Sequence, residues 1–356
     1  MAPTGIRRRG GHSAGGARDA AAYRRWIQAF AKVVLSAILA LGAPPHVRVA
    51  AQGSAAADAS NPLAGKRFYV DPNSDARRQA ETWKKSRPAD AELVAQIANQ
   101  PVAKWWGGWV RDIGREVSQA AATITRAGAT PVFVAYNIPH RDCGSYSAGG
   151  AGGAEGYRKW IGDFARGLAG RGAIVVLEPD ALPQMDCLPP PGREERLMLI
   201  REAVEALKAQ RAHVYIDAGN ARWKSPEEMA RLLQQAGIAV ADGFALNVSN
   251  VQATELNVAY GEKLSALVGG KHFIIDTSRN GIPGTDPREW CNPRGRALGT
   301  RPTTDTGHPL IDAFLWVKPP GDSDGTCQGG PTAGSWWAEY ALELSRLAAT
   351  LSGVAR

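Results

Sequence analysis

Short, nearly continuous apolar runs alternate along this chain with longer segments in which apolar residues recur at helical spacing. Seven runs are rich in β-branched and aromatic residues: FYV (68–70), TPVFVAYNI (130–138), AIVVLEP (173–179), AHVYIDA (212–218), GFALNVS (243–249), HFIIDTS (272–278) and IDAFLWVKP (311–319). Continuous apolar character is typical of strands that are buried on both faces of a parallel sheet. We therefore expect seven buried parallel strands.

The segments between these runs are predicted to be helices. They lie near 81–98, 111–127, 154–170, 192–210, 226–237 and 252–268, with a last one over about 335–351. Strands that alternate with helices form parallel sheets whose crossover connections are helical. The predicted fold class is therefore α/β.

Polar residues follow the ends of all these runs, and this observation favours a barrel over an open sheet. They are Asp71, Asp142, Asp180, Asp217, Asn250, Asp276 and Asp324. Functional groups in a parallel barrel gather at the carboxyl ends of strands all round the ring, whereas an open sheet uses few of its strand ends. No GxGxxG motif opens the first strand–helix turn, so nothing favours a nucleotide-binding sheet.

The first 60 residues differ from the rest. Arginines precede an apolar run over about 30–43, and small residues follow it. This order is typical of a secretory signal, with an uncleaved signal anchor as the alternative. We expect residues 1–51 to be a signal peptide or signal anchor, 52–60 a short linker and 61–356 one folded domain. The predicted location is extracellular, with membrane anchoring as the alternative.

The net charge of +8 belongs almost wholly to the leader. Residues 1–50 hold eight Lys or Arg and one Asp, which gives +7 and leaves +1 for the other 306 residues. A nearly neutral folded region argues against nucleic acid as the main partner. In an oxidising compartment the four cysteines could form two disulfides in any of three pairings. No CxxC or clustered His spacing indicates a metal site, and neither a metal nor a cofactor is expected.

Three of the four cysteines lie close to strand-end aspartates. The pairs are Asp142 with Cys143, Asp180 with Cys187, and Asp324 with Cys327. A disulfide fixes a loop and thereby the acid that the loop carries. Several acids fixed over one cleft indicate acid–base chemistry on a neutral substrate.

Asp180 is the strongest single candidate for that chemistry. It follows VVLEP and so lies at the rim of the predicted barrel. Apolar walls and neighbouring carboxylates raise the pKa of a carboxyl, which suits a general acid. Other acids are weaker candidates, because each also fits a turn, a cap or a solvated loop: Asp142, Asp217, Asp322 and Asp324. Arg141 is expected to pair with a neighbouring acid.

The chain contains eleven tryptophans, and several adjoin strand-end segments. These are Trp105, Trp106, Trp109, Trp223 and Trp290. Flat aromatic rings stack on the apolar faces of sugars, while core packing is the alternative for each ring. A row of them beside charged loops favours a carbohydrate groove.

Six longer motifs stand in a fixed order: VAYNIPHRDCGSYSAGGA, VVLEPDALPQMDC, VYIDAGNARW, IIDTSRNG, EWCNPRGRALG and DAFLWVKPPGDSDG. Together they resemble glycoside hydrolase family 6, the inverting cellulases once called family B, from residue 68 to residue 344. The resemblance implies a distorted seven-stranded β/α barrel. It also implies that 61–356 is a catalytic domain, acting as a monomer and without a cofactor on β-1,4-glucan polysaccharides or oligosaccharides.

The resemblance implies a role for each matching residue. Asp180 would be the general acid, Asp142 would sustain its raised pKa, and Asp324 would be the candidate base. Asp217 would contribute electrostatically, and Tyr136 would crowd the sugar at the cleavage point. The positions that match glucan contacts are Trp105, Trp223, Asn250, Trp290, Lys318 and Asp322.

The resemblance also pairs the cysteines as Cys143–Cys187 and Cys291–Cys327. The intervals of 44 and 36 positions are short, as in open-cleft members, which favours endo action. Three positions depart from the family pattern: Asn220 stands where His is common, Asp322 where Glu is common, and Ala148 where a water-chain serine is expected, with Ser147 as a substitute.

Three alternatives remain open at this point. They are an exo-acting cellobiohydrolase, a hydrolase of another β-glucan, and a catalytically weak glucan-binding or cell-envelope protein. Asn220 and Ala148 support the last of these.

Overall fold

The structure, a computed structural model, describes residues 60–286 and 288–353. The predicted leader (1–51) and all but the last residue of the predicted linker (52–60) lie outside the described residues. None of the helices in the described ranges is long and apolar enough to cross a membrane.

Seven parallel strands form one sheet at the centre of the fold. They are β1 (Lys104–Trp106), β2 (Val132–Ala135), β3 (Ile174–Leu177), β4 (His213–Asp217), β5 (Gly243–Leu246), β6 (His272–Asp276) and β7 (Ile311–Leu315). Each strand pairs with the next one in chain order, and every pairing is parallel. This order brings all the carboxyl ends of the strands to one face.

Helices connect the strands and cover the outside of the sheet. Those in the described part of the chain are α1 (Asp75–Trp83), α2 (Pro88–Ala98), α3 (Ile113–Arg126), α4 (Ala154–Leu168), α5 (Pro190–Lys208), α6 (Pro226–Gln235), α7 (Thr254–Leu267) and α8 (Ala338–Leu351). The predicted helix at 81–98 is two helices. Its interior Pro88 begins α2, because the residue before a proline disfavours helical geometry.

The sheet curls into a barrel that stays open between its first and last strands, and this confirms the predicted distorted seven-stranded β/α barrel. No ladder joins β7 to β1 among the described residues. Two hydrogen bonds span the gap: the Ala103 N–H donates to the Trp316 carbonyl (3.0 Å), and the Trp105 indole N–H donates to the Val317 carbonyl (2.8 Å). The open side therefore lies beside a tryptophan that was predicted to contact substrate.

The first predicted strand is wrong, although the number of strands is right. FYV (68–70) makes only an isolated bridge, between Phe68 and Thr130, and the first strand is KWW (104–106). A three-residue strand at a sheet edge is too short to show a periodic pattern. Asp71 therefore follows no strand, and its carboxylate accepts the Asn73 N–H in a local turn (2.8 Å).

Two apolar layers share the strands, because successive strand residues point to opposite faces. The inner layer fills the barrel with residues such as Val134, Val176 and Tyr215. The outer layer joins the sheet to the helices through residues such as Phe133 and Val175. These packed layers hold the strand ends, and the loops beyond them, in fixed positions.

Candidate active site

A cavity of about 970 Å³ lies at the carboxyl ends of the strands. Ten residues predicted for the site line it: Trp105, Tyr136, Asp142, Asp180, Trp223, Asn250, Trp290, Lys318, Asp322 and Asp324. Asp217 is the exception. It is buried at the end of β4 and does not line the cavity.

Asp180 leaves β3 in a conformation that few residues adopt. Its φ of 68° is left-handed, and its backbone N–H donates to the Asp217 carboxylate (2.9 Å). Burial raises the pKa of Asp180 well above its ordinary value, and the negative charges of Asp217, Asp142 and Asp324 raise it further, while Lys318 opposes them. The Asp180 carboxyl therefore holds its proton where an ordinary aspartate has lost it.

Asp217 lies directly beneath Asp180. One of its oxygens accepts hydrogen bonds from the backbone N–H groups of Asp180 (2.9 Å) and Gly219 (3.1 Å). Burial raises the pKa of Asp217 to about 7, and the two amides act in the opposite direction. This geometry makes Asp217 a positioning residue for the Asp180 backbone.

Asp324 has the opposite electrostatic environment. Its carboxylate pairs with Arg279 (2.7 Å) and Lys318 (3.0 Å) and accepts the Asn292 N–H (2.9 Å). Burial acts to raise the pKa of Asp324, but the two cations outweigh it and hold this pKa below its ordinary value. Asp324 is therefore an ionised carboxylate facing the same cavity as protonated Asp180.

Asp142 is held by its own loop and by the loop that carries Asp180. Its carboxylate accepts the Ser147 N–H (2.7 Å) and the Gln184 side-chain amide (3.2 Å). The predicted pairing of Arg141 with an acid is wrong. Arg141 instead donates to the carbonyls of Tyr136 (2.8 Å) and Ser147 (2.8 Å), because the loop folds back over the guanidinium and satisfies it with backbone oxygens.

Disulfides close the loop that carries Asp142 and the loop that carries Asp324. Their pairing, Cys143–Cys187 and Cys291–Cys327, is the one that the resemblance implied. A second tie reinforces the first bridge. Arg196, buried on α5, donates to the carbonyls of Ala181 (3.0 Å) and His140 (2.9 Å), so it joins the Asp180 and Asp142 loops. The acids are thus held by covalent and hydrogen-bonded links.

Two buried groups at the site were not predicted from the sequence. Arg279, which is fully buried, belongs to the IIDTSRNG segment, and a cation directly after a buried strand was the available signal. Glu178, two residues before Asp180, accepts the N–H groups of Asn137 (2.9 Å) and Ile138 (2.9 Å). Burial raises the pKa of Glu178 to about 7. Its contacts support the backbone that follows Tyr136.

Asp276 is a structural carboxylate. It accepts the N–H groups of Ser249 (3.0 Å), Ser278 (2.9 Å), Val317 (3.2 Å) and Lys318 (2.9 Å). These bonds join the ends of three neighbouring strands. Asp276 thereby fixes the backbone from which Lys318 reaches Asp324.

Aromatic rings stand along the cavity wall. Trp105 meets Tyr136 edge to face at 5.2 Å, while Trp223 and Trp290 are exposed. Trp106, also considered for a carbohydrate groove, points outward into the core and is buried. Wide aromatic faces beside hydroxyl-bonding groups can bind a neutral sugar chain.

Asp322 lines the same wall with a carboxyl of raised pKa. Burial raises this pKa to about 7, while the charge of Lys318 acts in the opposite direction.

The described residues contain no cluster of three or more His, Cys, Asp or Glu side chains arranged to hold a metal ion.

A barrel whose carboxyl-end cavity holds two carboxyls of opposed pKa fits a glycoside hydrolase. The chain belongs to glycosyl hydrolases family 6, whose model matches residues 63–348.

Named relatives agree with this assignment. Endoglucanase A of Cellulomonas fimi is 46% identical over 282 residues, which cover 78% of this chain and 61% of that protein. Endoglucanase 1 of Streptomyces halstedii is 42% identical, over 86% of this chain and 96% of that protein.

A solved structure gives the same result. The endoglucanase Cel6 of Mycobacterium tuberculosis, in complex with methyl-cellobiosyl-4-deoxy-4-thio-β-D-cellobioside, has a TM-score of 0.77 and 45% identity. The match covers 81% of this chain and 99% of that one.

Proposed function

We propose that this protein is an exported endo-1,4-β-glucanase that cleaves with inversion of the anomeric carbon. One observation carries the proposal: Asp180 and Asp324 face one cavity with pKa values displaced in opposite directions. Inverting hydrolysis needs such a pair, a protonated acid and an ionised base.

In the proposed reaction the Asp180 carboxyl donates its proton to the glycosidic oxygen as the bond to the anomeric carbon breaks. A water attacks that carbon from the opposite face and passes a proton to Asp324. Burial and the negative charge of Asp142 sustain the protonated state of Asp180, and Asp217 raises the pKa of Asp180 further at the pH where Asp217 is itself ionised, above about 7. Solvent exchange then restores both carboxyls.

The proposed substrate is a neutral β-1,4-glucan chain. Trp105, Trp223 and Trp290 present rings on which sugars can stack, and the names of the relatives support this class of substrate. Tyr136, packed edge-on against Trp105, would crowd the sugar at the point of cleavage. Further proposed contacts are Asn250, Lys318 and Asp322, which line the same cavity.

The departures from the family pattern leave the proposed carboxyls intact. Asn220 lines the cavity with its carbonyl oxygen accepting the Arg222 N–H (3.0 Å). Ala148 and Ser147 line it too, and the Ser147 N–H already holds Asp142. Neither departure removes the proposed acid or the proposed base, so we favour an active hydrolase over a catalytically weak glucan-binding protein.

The test is Asp180→Asn, with Asp305→Asn, an exposed aspartate, as the matched control. We expect Asp180→Asn to lower kcat on carboxymethylcellulose by about 10²–10⁴-fold while cellotetraose binding persists, because only the transferable proton is removed. Reducing-end release gives the rate, and NMR of the first-formed anomer gives the stereochemistry. Full activity in Asp180→Asn would refute the assignment of the acid. A first product whose anomeric configuration is retained would refute inversion.

A further inference from the structure

Tyr146 reaches from the loop that carries Asp142 to the loop that carries Asp324. Its ring centroid lies 6.0 Å from that of Trp290, with the planes tilted by 58°. The ring also covers Gly325, where an added Cβ would stand only 2.4 Å from Tyr146 Cγ. We call the packing of Tyr146 on Trp290 and Gly325 the cross-cleft contact.

Both sides of the cross-cleft contact are anchored. On one side, Cys143, three residues before Tyr146, is bridged to Cys187. On the other, Cys291, which directly follows Trp290, is bridged to Cys327, two residues after Gly325. The contact therefore joins two covalently held loops.

The cross-cleft contact stands on the outer side of the cavity. Tyr146 is 48% exposed and Trp290 37% exposed, yet both line the cavity into which Asp180 and Asp324 point. The open groove expected from the short disulfide intervals is thus crossed at one point. A chain lying along the groove therefore meets this contact, because both of its rings line the cavity.

We propose that Tyr146 is a specificity-determining residue that limits how the middle of a long glucan enters the site. The proposal rests on the proposed endoglucanase function. An internal segment has no free end to thread, so it can enter sideways only while the cross-cleft contact is open. A short oligosaccharide can enter lengthwise beneath it.

The strength of an aromatic contact sets the size of the effect. A pair of this kind changes the population of the open state by a factor of a few to about tenfold. Internal attack is therefore slowed and not abolished, which is compatible with endo action. Gly325 matters because any side chain there would displace the Tyr146 ring.

The test compares Tyr146→Ala with Tyr146→Phe, which keeps the ring and serves as the matched control. We expect Tyr146→Ala to raise the ratio of kcat/KM on carboxymethylcellulose to kcat/KM on cellotetraose by about three- to tenfold, and Tyr146→Phe to leave it unchanged. The loss of viscosity per bond cleaved should rise with that ratio. An unchanged ratio, or an equal fall on both substrates, would overturn the proposal, since an equal fall marks a plain sugar contact.

A second measurement does not depend on hydrolysis. Amide hydrogen exchange in segments 143–149 and 323–328 should be faster in Tyr146→Ala than in wild type or Tyr146→Phe. Equal exchange in all three proteins would show that the cross-cleft contact is not formed in solution. If the wild-type protein cleaves no β-1,4-glucan, the proposed function is wrong. The proposed role of Tyr146 in substrate entry is then wrong too, even if hydrogen exchange shows that the cross-cleft contact forms.

Discussion

Two aspartates of this site have the same side chain and opposite protonation behaviour. Burial raises the pKa of Asp180, and the charges of neighbouring carboxylates raise it further. Asp324 touches two cations, which outweigh its burial. The difference in function between the two residues therefore comes from the neighbouring side chains.

Lys318 acts on both aspartates, so its removal should move the whole pH–rate profile. Its positive charge lowers the pKa of Asp180 and that of Asp324. In the proposed mechanism, activity needs ionised Asp324 on the acid limb and protonated Asp180 on the alkaline limb. Lys318→Met should therefore shift both limbs of kcat/KM to higher pH.

The profile is measured on a soluble cellulose derivative, with Lys263→Met, an exposed lysine on α7, as the control. A Lys318→Met profile that keeps the wild-type limbs, or moves them in opposite directions, would contradict this electrostatic reading. A uniform loss of rate without a shift would mark Lys318 as a binding residue only.

The proposed acids lie on loops, and these loops follow the carboxyl ends of the strands. The disulfides lie in segments beyond the strand ends, whereas the apolar layers involve the strands and helices. Loop geometry and barrel stability therefore depend on different contacts. Arg196 also contacts the Asp142 loop, by donating to the His140 carbonyl (2.9 Å), and the Asn292 side chain contacts the Asp324 loop by donating to the Gly325 carbonyl (2.7 Å).

Reduction of the disulfides should lower activity before the barrel unfolds. We expect kcat to fall about tenfold at 25 °C, because small displacements of reacting groups have large effects on rate. Far-UV circular dichroism, which reports the helices, should stay unchanged. The matched variants are the two double substitutions, Cys143→Ser with Cys187→Ser and Cys291→Ser with Cys327→Ser. An unaltered rate in reductant, or simultaneous loss of rate and helix signal, would refute this separation.

Several carboxyls of raised pKa couple the stability of the fold to pH. Burial raises the pKa of Glu178, Asp217 and Asp322 to about 7. The native state therefore binds their protons more tightly than the unfolded chain does. Their contribution is fully present below the unfolded pKa values and is lost as pH rises through about 7. Asp242, whose pKa is lowered to about 2, acts only in a more acidic range.

Glu178→Gln isolates one of these contributions. Its pKa moves from 4.5 to about 7, so ionisation costs roughly 3 kcal/mol of stability by pH 8. Glutamine cannot ionise, and its carbonyl oxygen can still accept the Asn137 and Ile138 N–H groups. Thermal denaturation should show a smaller fall in Tm from pH 5 to pH 8 than in wild type.

The control is Glu205→Gln, an exposed glutamate on α5, which should keep the wild-type slope. A Glu178→Gln protein with the wild-type pH dependence of Tm would mean that Glu178 does not ionise in this range. The remaining slope should come from the other carboxyls of raised pKa, among them Asp180, Asp217 and Asp322.

Local pattern determined most of the architecture. Six of the seven strands were predictable, because each is a continuous apolar run that is buried on both faces. The three-residue β1 was not, because short edge strands carry little periodic signal. Pro88 itself marks the break between α1 and α2, so the single helix predicted over 81–98 was wrong although the sequence held the signal. The motifs indicated the candidate acids and, through the family resemblance, the disulfide pairing.

Contacts between distant residues determined the rest. Asp324 is ionised because Arg279, 45 positions away, lies 2.7 Å from it, and no pattern along the chain gives that distance. Tyr146 meets Trp290 for the same reason, since two separate loops end on one face of the barrel. Residue types and their spacing therefore determined which groups this protein can use. Burial and charge at each position, which exist only after folding, decided which carboxyl keeps its proton.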